Sequence, residues 1–193
     1  MTIYLDDICK SYNGINVLKD ISISIEDGKC YAFTGDKECG KTTLLNIFMG
    51  LIKPDSGKVS RMGDYKYPNL RTAYVSQNDC LNAKKNAVWN VKKAHRTASK
   101  GRAIEELSKF LSEDEYNCPI SELTPGQRRI VEIIKALFVP ADFIVLDEPF
   151  RGMSQDQKDQ ILKYILNLLG TRPILLASRK DPEIKGFRVI DLS

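Results

Sequence analysis

The stretch Thr34–Asn46, TGDKECGKTTLLN, constrains the fold more than any other part of this chain. Gly35, Gly40, Lys41 and Thr42 fit the pattern G-x-x-x-x-G-K-[ST]. Before it runs KCYAFTG, a short apolar run with aromatic character that reads as a buried strand. After it, Leu44, Leu45, Ile47, Phe48 and Leu51 fall at helical spacing, closed by Gly50 and then Pro54. A strand, a glycine loop and a helix in that order aim backbone N–H groups and a helix N-terminus at a phosphate. Gly35, Asp36, Lys37, Glu38, Cys39, Gly40, Lys41, Thr42 and Thr43 are then the candidate nucleotide cradle. Lys41 would reach the β- and γ-phosphates, and Thr42 would ligate Mg²⁺. The competing reading is a plain strand-to-helix turn. Glu38 fits the cradle poorly: a carboxylate a few ångströms from a triphosphate costs on the order of a kcal/mol at a solvated site. Lys37 and the positive end of the helix offset part of that repulsion.

At 193 residues the chain is long enough for one substantial core with room for a subdomain. No run of about 18 apolar residues is present to span a bilayer. The nearest, IVEIIKALFVPADFIVL, is interrupted by Glu132, Lys135, Pro140 and Asp142. The N-terminus MTIYLDDICK carries acids where a signal peptide carries basic residues. Five scattered cysteines, with no C-x-x-C, point to reduced thiols in a cytoplasmic protein rather than a zinc site or a disulfide framework. The net charge of +4 is unevenly spread. Residues 80–104 hold Lys84, Lys85, Lys92, Lys93, Arg96, Lys100 and Arg102 and no acid. Val88, Val91, His95 and Ala98 share helical spacing there, which leaves the basic residues largely on the other face. That face is either plain solvated surface or a contact for an anionic membrane, an acidic protein or nucleic acid.

Along the chain, Ile21, Ile23 and Ile25 alternate with polar residues, as in a half-buried antiparallel strand. KVS after Gly57 and TAYVSQ at 72–77 predict two further strands, and 82–116 predicts helix. Thr124, Pro125 and Gln127 form a helix start with a capping box, and Ser154 with Gln157 predicts another, its helix ending at Gly170. DFIVLDEP reads as a fully buried parallel strand, and RPILLAS and FRVIDL as the last strands. Alternating strands and helices imply an α/β core. FIVLDEP carries Asp147 and Glu148 at the end of its buried strand. A carboxylate there can hold Mg²⁺, and its neighbour can polarise an attacking water.

Taken together, these stretches resemble the ATP-binding subunits of ABC transporters over essentially the full length. The resemblance implies a P-loop NTPase α/β fold with a mostly parallel sheet, an N-terminal antiparallel β subdomain and a small helical subdomain. It further implies one ATPase domain over residues 1–193, with 78–125 inserted as the helical part. Tyr12, in KSYNGINVLKDI, matches the aromatic residue that stacks on adenine, or is simply a turn tyrosine. Gln77 matches the Q-loop glutamine that contacts Mg²⁺ and links to the membrane subunit. Thr124, Gly126 and Gln127, in LTPGQRR, stand where the signature L-S-G-G-Q lies. Asp147 matches the magnesium ligand and Glu148 the catalytic carboxylate. ATP and Mg²⁺ are the implied ligands. The implied partners are a separate transmembrane subunit and a second ATPase subunit, in a head-to-tail homo- or heterodimer. The implied location is cytoplasmic and peripheral, on the inner face of the membrane.

Departures from the family pattern gather around the triphosphate. Glu38 replaces a usual glycine, and Pro125 replaces the first signature glycine and removes a backbone donor. Ser154 stands for an expected aspartate. Arg179 stands for the switch histidine, and either supplies fixed positive charge to the γ-phosphate or is a surface arginine. These four argue for slow or asymmetric hydrolysis rather than for absent binding. The alternatives are a nucleotide-binding pseudoenzyme that leaves turnover to a standard partner, and a non-transport ABC protein. The latter commonly carries two cassettes or a long coiled-coil insertion, so no nucleic acid is expected as a partner. The short length and the absence of an extra C-terminal domain suggest a minimal export-type module.

Overall fold

The computed structural model describes residues 1–62 and 70–193. They partition into two compact units. The first comprises Met1–Thr72, Asp142–Glu148 and Leu169–Ser193, and the second Ala73–Ala141 and Pro149–Leu168.

The first unit holds strands β1 (Thr2–Tyr12), β2 (Ile15–Glu26), β3 (Cys30–Thr34) and β4 (Ser56–Met62) and helix α1 (Lys41–Met49). Strand β5 (Thr72–Val75) starts at the unit boundary, and β6 (Phe143–Asp147), β7 (Ile174–Ala177) and β8 (Phe187–Asp191) return to the first unit. An antiparallel sheet runs β2-β1-β4. Its hairpin turns at Asn13 and Gly14, whose φ values of 50° and 79° are what a tight two-residue turn between twisted strands demands. Ile3, Leu5 and Ile25 face inward, while Ser22 and Ser24 face solvent, as the alternation predicts. Asp55, at the approach to β4, staples it to β1. Its carboxylate accepts from Lys10 Nζ at 2.5 Å, Ser11 N at 2.7 Å and Ser11 Oγ at 2.8 Å. Lys10, then the two Ser11 donors, bring the Asp55 carboxyl down to about 2.

The second sheet of this unit is parallel, in the order β6-β7-β3-β8. β6 is buried along its whole length, which explains why its sequence is a continuous apolar run rather than an alternation. Helix α1 lies against β6 and β7 through Leu44, Leu45, Ile47 and Phe48. The Phe48 ring meets Phe143 edge-on, with centroids 5.4 Å apart. Parallel strands joined through helices, beside an antiparallel β layer, form the P-loop NTPase α/β architecture.

The second unit is mainly helical: α2 (Ala87–Lys92), α3 (Lys100–Leu107), α4 (Glu113–Asn117), α5 (Pro125–Leu137) and α6 (Gln155–Leu169). The helix expected over 82–116 is divided into three short helices with breaks between them. Each is started by its own cap: Asn86 accepts from Trp89 N, Ser99 from Arg102 N and Ser112 from Glu115 N. Asn and Ser side chains satisfy helix-start donors better than they tolerate a helix interior, so each one restarts the helix. Val88 and Val91 are buried on α2, whereas His95 lies in the following break with its Nδ1 2.8 Å from Thr97 Oγ1. The two predicted capping boxes form. Thr124 and Gln127 cap α5, and Ser154 and Gln157 exchange bonds at 3.1 and 3.2 Å before α6.

Candidate functional site

The phosphate loop follows β3. Gly35 (φ 134°) and Gly40 (φ 96°) occupy conformations that favour glycine, and both are crowded. A Cβ on Gly40 would fall 2.6 Å from Val17 O, and one on Gly35 2.7 Å from Cys39 Sγ. The loop is therefore pressed against β2. Lys41, buried at the start of α1, donates from Nζ to Gly35 O at 2.7 Å, Asp36 O at 2.6 Å and Cys39 Sγ at 3.3 Å. Thr42 Oγ1 donates to Asp147 Oδ2 at 2.6 Å, and Asp147 is only 1% exposed. Thr43 is half-buried beside it on α1, while Asp36, Lys37 and Glu38 form the exposed crest of the loop.

Glu38 sits at φ 72°, a left-handed conformation. This is the physical reason a glycine suits the position, and the glutamate holds it at a cost of roughly 1–2 kcal/mol. Its carboxylate lies 3.3 Å from Lys37 Nζ, with both side chains largely exposed, a pairing worth little in water. Glu38→Gly is expected to leave thermal stability nearly unchanged, because relief of the left-handed strain is offset by the ~0.5–1 kcal/mol of extra chain entropy a glycine loses on folding. Nucleotide affinity is expected to rise about fivefold, since a solvated like charge a few ångströms away costs about 1 kcal/mol. Calorimetric titration checks this, and weaker binding by the variant would mean that Glu38 itself contacts the ligand.

Asp147 ends β6 and Glu148 follows at φ 49°, its N–H donating to Ala177 O at 2.9 Å at the end of β7. Arg179 Nε lies 3.7 Å from Glu148 Oε1, with the Arg179 side chain 59% exposed. The glycine loop after β3, the acid pair after β6 and Arg179 after β7 thus lie at the carboxyl ends of adjacent parallel strands, the usual binding edge of such sheets. Tyr12 ends β1 at the hairpin tip, opposite Ile15 and close in sequence to the Val17 that touches Gly40. Its ring is half exposed, with Lys10 Nζ 5.5 Å from the centroid.

The remaining sequence candidates belong to the second unit and form a separate group. Gln77 and Pro125 line a cleft of ≈ 420 Å³ together with Arg128 and Arg151. Thr124 N and Oγ1 donate to Gln127 Oε1 at 2.9 and 3.0 Å, Gln127 N donates to Thr124 Oγ1 at 3.3 Å, and Gln127 Nε2 donates to Glu115 Oε1 at 2.5 Å. Gly126 is needed for close approach, because a Cβ there would lie 2.8 Å from Gly152 O. The sequence reading missed Arg129 and Glu132, an ion pair at 2.8 Å with side chains 4% and 6% exposed. Burial drives the Glu132 carboxyl up, against the opposing pull of the Cys80 N–H and Arg129. The available signal was a pair of opposite charges three residues apart on α5, set among the buried apolar residues Ile130, Val131, Ile133 and Ile134.

Residues 18–151 match the ABC transporter family. This chain belongs to that family. Among relatives, the chain is 32% identical over 167 residues to the spermidine/putrescine import ATP-binding protein PotA of Fusobacterium nucleatum, a match covering 81% of this chain and 44% of that protein. It is 31% identical over 159 residues to the taurine import ATP-binding protein TauB of Pseudomonas aeruginosa, covering 79% and 60%. The chain thus spans less than two thirds of the length of these relatives. Among solved structures, it resembles a dimeric ATP-binding cassette in a post-hydrolysis state bound to ADP and Pi, with a TM-score of 0.82 at 24% identity, covering 98% of this chain and 93% of that one. The first unit carries the glycine loop at 35–43 and the Asp147–Glu148 pair, and the second carries Gln77 and the Thr124–Gln127 helix start. Among the described residues, no helix is long and apolar enough to cross a membrane.

Proposed function

We propose that this chain is the ATP-binding and ATP-hydrolysing subunit of an ABC transporter, powering transport through a separate membrane subunit. The observation that carries this reading is the 2.6 Å bond from Thr42 to Asp147, which joins the phosphate loop and the acidic strand end in one site. Thr42 and Asp147 supply a hydroxyl and a carboxylate, hard oxygen donors that fit Mg²⁺, an ion that keeps most of its ligands as water and phosphate oxygens. When bound, Mg²⁺ neutralises charge on the β- and γ-phosphate oxygens. Lys41 turns from its loop carbonyls to the same phosphates. Tyr12 offers a ring face to adenine. Glu148 orients the attacking water and takes up its proton as the γ-phosphoryl group passes to that water, giving ADP and phosphate. Gln77 matches the family's glutamine that contacts Mg²⁺ and would supply an amide oxygen as a further hard donor. Arg179, whose Nε lies 3.7 Å from Glu148 Oε1, would hold positive charge beside the carboxylate that orients the water.

A head-to-tail dimer brings Thr124, Gly126 and Gln127 of one copy to the nucleotide of the other, a reading supported by the dimeric state of the solved cassette with this fold. The α5 start is a weak phosphate donor, since Pro125 has no N–H and the Gln127 N–H is taken by Thr124. This favours slow turnover. It also supports the second reading, a nucleotide-binding subunit that leaves hydrolysis to a standard partner. Both relatives named above are import proteins, which supports import over export.

The basic, acid-free stretch 80–104 around α2 supports docking to the membrane subunit and a peripheral position on the inner face. Trp89 is 37% exposed and flanked by Lys85 and Lys93 Nζ at 6.0 and 5.8 Å from its ring centroid. The test is co-purification with the membrane subunit from solubilised membranes. Lys92→Glu with Lys93→Glu is expected to weaken recovery, more so at low salt, with MgATP binding intact. Recovery equal to wild type at every salt concentration would make this face plain solvated surface.

A further inference from the structure

Helix α5 carries three polar side chains, three residues apart, turned toward segment 76–80. Arg129 Nη1 donates to Ser76 O at 2.6 Å, Glu132 Oε1 accepts from Cys80 N at 2.5 Å, and Lys135 Nζ donates to Cys80 O at 2.7 Å. Both ends of the segment are pinned, and Gln77 lies between them. Arg129 also reaches the chain that leaves the acid pair: its Nε donates to Pro149 O at 3.3 Å, and Pro149 directly follows Glu148. Arg129 Nη1 closes the arrangement on Glu132 Oε2 at 2.8 Å.

As a stability device this is poor. A buried ion pair returns about what its desolvation costs, and apolar side chains of similar volume often do as well or better. What the pair supplies is geometry, because a guanidinium can hold two backbone carbonyls and a carboxylate at fixed angles in a way no apolar side chain can. We propose that Arg129, locked by Glu132, is a positioning residue for ATP hydrolysis: it fixes the loop that presents Gln77 and the backbone that leaves Glu148. Because α5 begins at Thr124–Gln127, the same rigid helix carries the signature residues and this clamp, so a shift of the helix at its start displaces both loops. The inference rests on the ATPase reading above.

The experiment compares the full chain with an Arg129→Met/Glu132→Leu double variant, which removes both charges together and leaves neither one buried alone. Thermal unfolding and nucleotide affinity are expected to stay close to wild type. The KM for MgATP is expected to be unchanged, while kcat falls on the order of 10²-fold, the scale of a displaced catalytic group. A folded double variant with wild-type kcat would overturn the proposal. If the double variant does not fold, Arg129→Lys decides. It keeps a positive charge beside Glu132 but cannot hold Ser76 O and Pro149 O at once, so kcat should fall with KM unchanged, and an unchanged kcat overturns the clamp. If wild-type protein binds MgATP without turning it over, the ATPase reading fails, and the clamp is judged on amide hydrogen exchange. Faster exchange across 76–80 in the variant than in wild type supports the clamp, and equal exchange overturns it.

Discussion

Glu148→Gln is expected to lower ATP turnover by about 10² to 10⁴-fold, the usual contribution of a positioned general base, while MgATP binding persists. The substitution is nearly isosteric, and the backbone at this position is held independently by the bond from Glu148 N to Ala177 O, so the loop should keep its shape. What disappears is the acceptor for the water's proton. The variant should accumulate the ATP-bound dimer, which gel filtration with MgATP would detect. Arg179 sharpens the test, because its Nε is 3.7 Å from the Glu148 carboxylate. If the arginine steadies Glu148 or the γ-phosphate, Arg179→Ala should lower turnover further from an already slow rate, and the same change in a Glu148→Gln background should add little, as for two groups acting as a unit. Wild-type turnover in Glu148→Gln would exclude this mechanism. No turnover by the wild-type protein alone, restored on adding a standard partner subunit, would establish the pseudoenzyme reading instead.

The first unit was the more legible part of the molecule because its signals are local. Gly35, Gly40, Lys41 and Thr42 declare themselves by spacing. The apolar run ending at Asp147 declares a buried parallel strand, and the 2.6 Å contact between Thr42 and Asp147 is the meeting those two signals imply. The capping boxes at Thr124 and Ser154 were equally readable, since each is a bond between residues three apart. Strand β1 was missed, although Asn13-Gly14 marks its hairpin, because its buried positions are interrupted by Asp6 and Asp7 where the pairing register shifts. The helical stretch over 82–116 misled for the opposite reason: Val88, Val91, His95 and Ala98 keep helical spacing across a break that the Ser99 cap imposes. Arg129 and Glu132 could be seen as charges in an apolar helix, but their partners, Ser76 O, Cys80 N and Pro149 O, are backbone atoms distant in sequence, and no side-chain pattern encodes those.

Lys41→Ala is expected to abolish measurable nucleotide binding, and turnover with it. Lys41 is 7% exposed and its ammonium donates to Gly35 O and Asp36 O at 2.7 and 2.6 Å, which holds the charge inside the loop. On binding it exchanges those carbonyls for phosphate oxygens, and hydrogen bonds to charged groups are worth about 1.5–3 kcal/mol each. Losing one or two of them weakens binding by roughly 10- to 10³-fold or more. The same deletion also unties the loop, because the Lys41 side chain spans from the start of α1 to the Gly35 and Asp36 carbonyls. Alanine should therefore cost more than the phosphate contact alone. Lys41→Arg separates the two contributions. It keeps the charge, but the larger fork must fit a site closed on one side by Cys39 Sγ, 3.3 Å from the present nitrogen, so it should bind nucleotide more weakly than wild type and more strongly than alanine. Calorimetric titration with MgATP, alongside thermal unfolding to show that each variant is folded, measures the series. Unchanged affinity in folded Lys41→Ala would remove the phosphate-loop assignment and, with it, the ATPase reading.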